Sequence, residues 1–405
     1  MTMPEMQPKK QTLREKIALL KNSPLLILFC FILFGLFFFN LATPDKAVSE
    51  MENKSLTQMP TINFEKVTTA NLASTLNTYF SNYTDYAKDQ IAGRDALISA
   101  YSFVETAVFQ KTDIGQIYLG DDDMMFTKTV DMLTSEETNY PANIAALAAL
   151  SEAYPGMVSA IIAPTSAQIY TENIPDNAPM LDMNAMIDEV IAAGEAAGAN
   201  MIDVRDTLTA HKDEYIYYRT DHHWTTLGAY YAYEAYCESL QLEPFDTSAY
   251  NAVEISDFYG THYAKARTWD AVPDTLTYYE MDNQLTVYKV YGTNNIEVDT
   301  VSDIYLYENF DAYDKYGAFM QGNPGYSSLE GDGEGSILVL KDSYANCFMP
   351  FLTANYETID IIDYRFYGYG LDSLIAENEY SQILVLYNID SFKSDGFFKR
   401  VSVRG

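Results

Sequence analysis

Basic side chains are scarce in this chain: 25 Lys and Arg stand against 57 Asp and Glu, for a net charge of −32. A surface of that sign repels phosphate backbones, which excludes nucleic acid as a partner. Cysteine is almost missing, with three residues in 405. That is too few for a disulfide framework or a cysteine-based zinc cluster. Cys30 lies in a long apolar run, leaving Cys237 and Cys347 either to bond to each other or to serve as small buried hydrophobes. The second reading is favoured, because a domain of this size builds enough core without disulfide staples. No internal repeat or low-complexity segment occurs. The 48% apolar content, with 34 Tyr and 21 Phe, excludes a disordered chain. The length allows two or more packed domains.

Charge is also missing locally. From Pro24 to Ala42 there is no charged residue, and a run of that length spans a bilayer as one helix. Residues 1–23 carry five basic and two acidic side chains, +3, so everything beyond carries −35. A basic flank stays cytoplasmic, which places residues 43–405 outside. The apolar core is long for a cleaved signal peptide, and Asn40-Leu41-Ala42-Thr43 offers no clean small-x-small cleavage site, so an uncleaved signal anchor is expected. Residues 43–75 are polar and suit a tether, and Leu76 to Gln110 has a helical pattern with aromatic anchors.

The remainder alternates. Ile117–Phe126 reads as a hairpin around an acidic turn. Strands are expected at 156–163, 200–204, 337–340, 358–363 and 382–387. Helices are expected at 144–154, 180–197, 225–240, 344–356 and 371–378. Apolar strands alternating with helices argue for a mainly parallel sheet covered on both faces. Residues 243–333 break the pattern and read as a β-rich insertion.

Histidine is scarce as well: four residues, two of them adjacent in Tyr218-Arg219-Thr220-Asp221-His222-His223-Trp224. Imidazole titrates nearest neutral pH, which makes the cluster a candidate site. Three readings stand side by side. His223 is a general base oriented by Asp221, with His222 secondary; the acid and both histidines hold a metal, although further ligands are short; or the histidines are structural, with Trp224 in the core. Leu338-Val339-Leu340-Lys341-Asp342-Ser343 places a serine at the end of a strand-like run. It is either a nucleophile at the carboxyl edge of a parallel sheet or a helix cap.

Taken together, Asp221-His222-His223-Trp224 and Lys341-Asp342-Ser343-Tyr344 resemble the DHHW protein family, which is similar to the SGNH-hydrolase-like alginate O-acetylation proteins. Ile117-Tyr-Leu-Gly120, Ile162 to Tyr170, Phe258-Tyr-Gly-Thr261 and Asp363-Tyr-Arg365 extend the resemblance over most of residues 100–395. It implies an SGNH-like three-layer α/β sandwich, circularly permuted because the Asp-x-His motif precedes the serine. It further implies Ser343 as nucleophile, His223 as base and Asp221 as its orienter. Arg365, Asn388, Asn346, His222 and Trp224 follow as substrate or oxyanion candidates, with no metal and no cofactor. Lys341 stands where glycine is usual before the nucleophile turn. The implied activity is O-acetyl transfer to a cell-surface glycan, with the acetyl group supplied by a membrane-bound O-acyltransferase. A carbohydrate esterase with the same triad and an inactive surface-anchored binding protein are the alternatives.

Overall fold

The computed structural model describes residues 23–49, 51, 54–291 and 296–402, so nearly all of the basic stretch 1–23 lies outside the described residues. The chain forms two compact units, one of Met1–Ser49 with Lys54–Ile98, the other of Glu50–Asn53 with Ser99–Gly405.

In the first unit, helix α1 (Pro24–Ala42) has proline in its first turn, where the missing N–H costs nothing, and no buried side chain. Its 19 residues are about 28 Å long at 1.5 Å each, close to the hydrocarbon thickness of a bilayer. The expected tether is not bare. Val48–Ser49 pairs antiparallel with Lys54–Ser55, and helix α2 (Leu72–Asp89) begins four residues before the expected start. Asp89, at the end of α2, draws the segment in by accepting from Lys54 Nζ at 2.8 Å, Thr57 N–H at 2.9 Å and Thr57 Oγ1 at 2.8 Å. These donors hold its carboxyl well below the usual range. Sequence polarity missed this because one buried carboxylate, not an apolar face, does the ordering.

The second unit is built on an eight-stranded sheet. In chain order its strands are β1 (Val158–Ala163), β2 (Asn200–Met201), β3 (Gln284–Val290), β4 (Ile296–Asp303), β5 (Tyr326–Glu330), β6 (Ser336–Lys341), β7 (Thr358–Ile362) and β8 (Gln382–Asn388). Their spatial order is β4-β3-β5-β7-β6-β8-β1-β2. Five neighbours, β7-β6-β8-β1-β2, are parallel, and β5, β3 and β4 extend the sheet antiparallel. All six β1 side chains are buried, as a run apolar but for Ser159 requires of a strand covered on both faces.

Alternate residues feed two cores. Ile337 and Val339 pack on one face with Tyr233 and Tyr236 of helix α5 (Thr226–Leu240). Leu338 and Leu340 pack on the other with Leu147 of α3 (Thr134–Ala153) and Val190 of α4 (Met183–Ala196). The result is a three-layer α/β arrangement set by the two-residue period of the strands.

The hairpin around the acidic turn forms, with Leu119 opposite Met125 and Asp122 and Asp123 at positive φ. Within residues 243–333, β3, β4 and β5 join the main sheet, while Ala252–Phe258 and Asp274–Tyr279 make a separate two-stranded ladder. The helix expected at 344–356 is a correction: Ser343–Cys347 is a 3-10 turn, followed by one turn of helix at Met349–Leu352. Pro350 lacks the N–H an unbroken helix needs there.

Candidate active site

β6 delivers Ser343 to the carboxyl rim of the parallel strands, and the neighbouring aspartate fixes the turn. Asp342 accepts from Tyr344 N–H at 2.8 Å with one oxygen and from Asn388 N–H at 2.9 Å with the other, tying the ends of β6 and β8 together. Burial raises its carboxyl above the ordinary value, against those donors. Asp342 and Tyr344 are buried while Ser343 itself is half-buried, leaving the hydroxyl reachable.

The motif 218–224 is folded back on itself by a bridge between Tyr217 and Trp224 and by the Thr225 N–H to Ile216 C=O bond at 2.9 Å. Asp274, which sequence reasoning did not single out, clamps this loop. It accepts from Arg219 N–H at 2.8 Å, Thr220 N–H at 2.8 Å and Thr220 Oγ1 at 2.6 Å. Trp224 is fully buried and donates its indole N–H to Tyr344 C=O at 2.9 Å, so the histidine loop is pinned to the turn that carries the serine. Tyr316 joins the same two segments, stacking on His223 at 3.8 Å between ring centroids and donating its hydroxyl to Ser343 C=O at 3.0 Å.

Within this frame Asp221 Oδ1 lies 2.6 Å from His223 Nδ1 and also accepts from His223 N–H at 3.0 Å. His223 Nε2 lies 2.9 Å from Ser343 Oγ. Asp221 Oδ2 is satisfied by Thr261 N–H at 2.7 Å. Gly260 lets that backbone approach, since a Cβ there would fall 2.2 Å from the Asp221 Cβ. No signal in the bare sequence marked Gly260 and Thr261 as partners of Asp221, because the contact spans 40 residues.

Burial and the neighbouring charge on His222 hold His223 down to about 4, against the pull of Asp221. His223 is therefore neutral near pH 7. With Nδ1–H donated to Asp221, its Nε2 carries a lone pair toward the serine. The Asp221 carboxyl is resisted by burial but held well below the usual range by the two histidines. His222 is raised, since Asp221 outweighs burial, and it is the partly exposed member of the pair, with 39% of its side chain accessible. Its Nδ1 is 2.7 Å from Thr261 Oγ1. A third histidine, His262, sits with its ring 6.3 Å from that of His222 and is pushed down to about 3 by burial.

The remaining candidates border the site and are each engaged by protein partners. Asn346 uses Oδ1 for Lys341 Nζ at 2.6 Å and Nδ2 for Gly322 C=O and Asn323 Oδ1, both at 3.2 Å. Asn388 gives Nδ2 to Ala163 C=O at 3.1 Å and caps the next helix with Oδ1, 2.9 Å from Asp390 N–H. Both amides are thus engaged by groups of the protein itself. Arg365 is chelated by Asp363, with Nε at 2.9 Å from Oδ1, and keeps 35% of its side chain exposed. Lys341, in the usual glycine position, is buried beside Asp363 at 3.7 Å and is pushed down to about 8 by burial. Among the described residues, Asp221, His222 and His223 have metal-type donor atoms within 4.8 Å of one another, but the closest pair is hydrogen-bonded to each other.

Fold and site together describe an α/β protein with a Ser-His-Asp line at the carboxyl rim of the parallel strands of a mostly parallel sheet. The chain belongs to the DHHW family, whose profile matches residues 112–362. Among solved structures it is similar to a DHHW family protein from Eubacterium siraeum. That protein is 25% identical with a TM-score of 0.61, over 71% of this chain and 95% of that one. It is also similar to Bacillus cereus PatB1 bearing a sulfonyl adduct, at 20% identity and a TM-score of 0.53, over 70% and 97%. A weaker likeness is to the O-acetyltransferase domain of Pseudomonas putida AlgJ, at 14% identity and a TM-score of 0.42, over 69% and 92%. No curated protein matches the sequence.

Proposed function

We propose that this protein is an extracytoplasmic O-acetyltransferase that modifies a cell-surface polysaccharide through an acyl-serine. The observation that carries the reading is the unbroken line from Asp221 Oδ1 to His223 Nδ1 at 2.6 Å and from His223 Nε2 to Ser343 Oγ at 2.9 Å, ending on a reachable hydroxyl. In the first half-reaction His223 Nε2 takes the proton of Ser343 as Oγ bonds to the donor's carbonyl carbon. The imidazolium returns that proton to the leaving oxygen as the acyl–oxygen bond of the donor breaks. In the second, a sugar hydroxyl gives its proton to Nε2 and attacks the acetyl carbonyl, and Ser343 leaves with the proton held by His223. Asp221 stays ionised and stabilises the imidazolium in both halves. The Ser343 N–H opens the 3-10 turn ahead of the first intrahelical bond, which suits it to the developing oxyanion.

Helix α1 is read as an uncleaved signal anchor that keeps the second unit outside the membrane. Its length and all-round apolar surface support this, with the basic stretch before it. A membrane-bound O-acyltransferase would then supply the acetyl group and a surface glycan would receive it. The test is intact-mass spectrometry after incubation with an aryl acetate, with and without acceptor oligosaccharide. One acetyl adduct on wild type, absent from Ser343→Ala and passed to the sugar, supports the proposal. Free acetate alone makes the protein an esterase, and equal labelling of both proteins removes Ser343 from the chemistry. Because PatB1 shares the fold and carries a sulfonyl adduct, a sulfonyl fluoride is a suitable second probe.

A further inference from the structure

The region 243–333, which breaks the strand–helix alternation, sends one segment into the site. Its Tyr316 stacks on His223 and donates to Ser343 C=O. Three residues earlier, Tyr313 reaches the remaining member of the line. Tyr313 and Asp221 both border a cavity of about 20 Å³, with Phe258, Gly260, Thr261 and Asp314 around it. The Tyr313 hydroxyl is buried and has no hydrogen-bond partner among the described residues. A buried hydroxyl gives up its hydration on folding, so such groups are as a rule satisfied by protein or by ordered water.

Asp221 has the matching acceptor to spare. A carboxylate offers about four lone-pair positions, two on each oxygen. Oδ1 faces His223 Nδ1 at 2.6 Å, His223 N–H at 3.0 Å and His222 Nδ1 at 3.4 Å. Oδ2 takes Thr261 N–H at 2.7 Å, the one donor it has among the described residues. Gly260 and Thr261, which seat Oδ2, also border the cavity. A donor and an acceptor, each short of one partner, therefore line the same small space. Its volume has room for one water molecule, which needs about two to four polar neighbours to be held. Tyr313, Asp221 and Asp314 are neighbours of that kind.

We propose that Tyr313 is a positioning residue that holds one water molecule against Asp221 Oδ2, and through it fixes the carboxylate that orients His223. The inference rests on the triad of the proposed function. Tyr313 donates its hydroxyl to the water, and the water donates to Oδ2. Both oxygens of Asp221 are then loaded, so the carboxylate does not swing about its Cβ–Cγ bond and Oδ1 stays on the imidazole Nδ1–H. A donor on Oδ2 also draws negative charge away from His223, which keeps the imidazole neutral and its Nε2 lone pair free for the serine. The other charged or titratable groups facing Tyr313 are Arg267, Tyr263 and Tyr259, and those facing Asp221 are His222 and His223. One segment, 313–316, thereby touches all three members of the line.

Three measurements on the full chain test this. A crystal structure is expected to show ordered density within hydrogen-bond reach of both Tyr313 Oη and Asp221 Oδ2. Tyr313→Phe is expected to melt several degrees below wild type, because it strands the water, whereas deleting an unpartnered hydroxyl leaves stability equal or higher. Acylation of Tyr313→Phe by an aryl acetate should be about fivefold to tenfold slower, with the acid limb of the rate–pH profile moved upward as Asp221 pulls harder on the His223 proton. A role in packing alone would slow the rate without moving that limb. Ala264→Val, which fills the cavity and leaves the tyrosine in place, should move the limb the same way. A cavity without density overturns the proposal, and so does a Tyr313→Phe protein at least as stable as wild type with an unmoved limb. A wild-type protein that no acetyl or sulfonyl reagent labels at Ser343 overturns the triad reading instead, and the density and the sign of the melting shift then still decide whether Tyr313 holds the water.

Discussion

Replacing Asp221 by asparagine changes one charge and no volume, and the geometry dictates the outcome. Asp221 satisfies four groups: His223 N–H, His223 Nδ1–H, Thr261 N–H and, at 3.4 Å, His222 Nδ1. An amide cannot do so. If its oxygen faces His223, its NH2 confronts Thr261 N–H and the imidazolium loses its counter-charge. If the amide turns, Nδ1 must accept, and the proton moves to Nε2, pointing at Ser343 where a base is needed. At an effective dielectric near 20, a unit charge pair about 4 Å apart is worth about 4 kcal/mol, or about three decades in rate. With the wrong tautomer added, the loss approaches the roughly 10⁴-fold seen when a serine–histidine pair loses its carboxylate. The assay is single-turnover release of phenolate from an aryl acetate, with wild type and Ser343→Ala as bounds and thermal unfolding as a check on the fold. An Asp221→Asn protein that is well folded and acylates within tenfold of wild type would refute the reasoning.

Four further outcomes rest on the same structure. With His223 held near 4, acylation should rise as pH climbs through about 4 and be level by neutrality. His222→Gln, which removes the adjacent positive charge, should move that acid limb upward toward 6.5, as a rate–pH profile of both proteins would reveal. His223 near 4 and His262 near 3 both bind protons less readily than their unfolded counterparts near 6.5. Stability should therefore fall as pH drops from about 6.5 toward 3, and a melting temperature independent of pH in that window would contradict this. Gly260→Ala drives a methyl to 2.2 Å from the Asp221 Cβ and 2.3 Å from its Oδ2. It should cost about 1–3 kcal/mol by denaturant titration and slow sulfonyl labelling of Ser343. Cys237 and Cys347 are buried free thiols pushed up to about 11 and about 12 by burial. Mass spectrometry should find neither alkylated near neutral pH until the protein is unfolded.

The strands and helices around the sheet were legible because their patterns are local. The predominantly apolar runs at β1, β6 and β8 announce strands buried on both faces, and the alternation with α3, α4 and α5 announces parallel crossovers. The 3-10 turn after Ser343 reads as a helix in the sequence because its apolar residues, Tyr344, Phe348 and Phe351, fit either period in a short stretch. Asn346 and Asn388 are suggested by position in a motif, but the partners of their amides are groups that only the folded chain brings near.

By itself the sequence determined which chemistry was available: one acid–imidazole pair, one serine at a strand end, one uncharged run long enough for a bilayer. It also determined the layered architecture, since side-chain periodicity is a property of neighbouring residues. Only the tertiary structure decided that His223 and Ser343, 120 residues apart, meet at 2.9 Å. It alone supplied Thr261 and Gly260 to seat Asp221, Asp274 to clamp the histidine loop, and Tyr316 to join the two motifs. The reason is physical: such contacts are set by how the sheet twists and where crossovers return, and no local pattern encodes a distance across the fold.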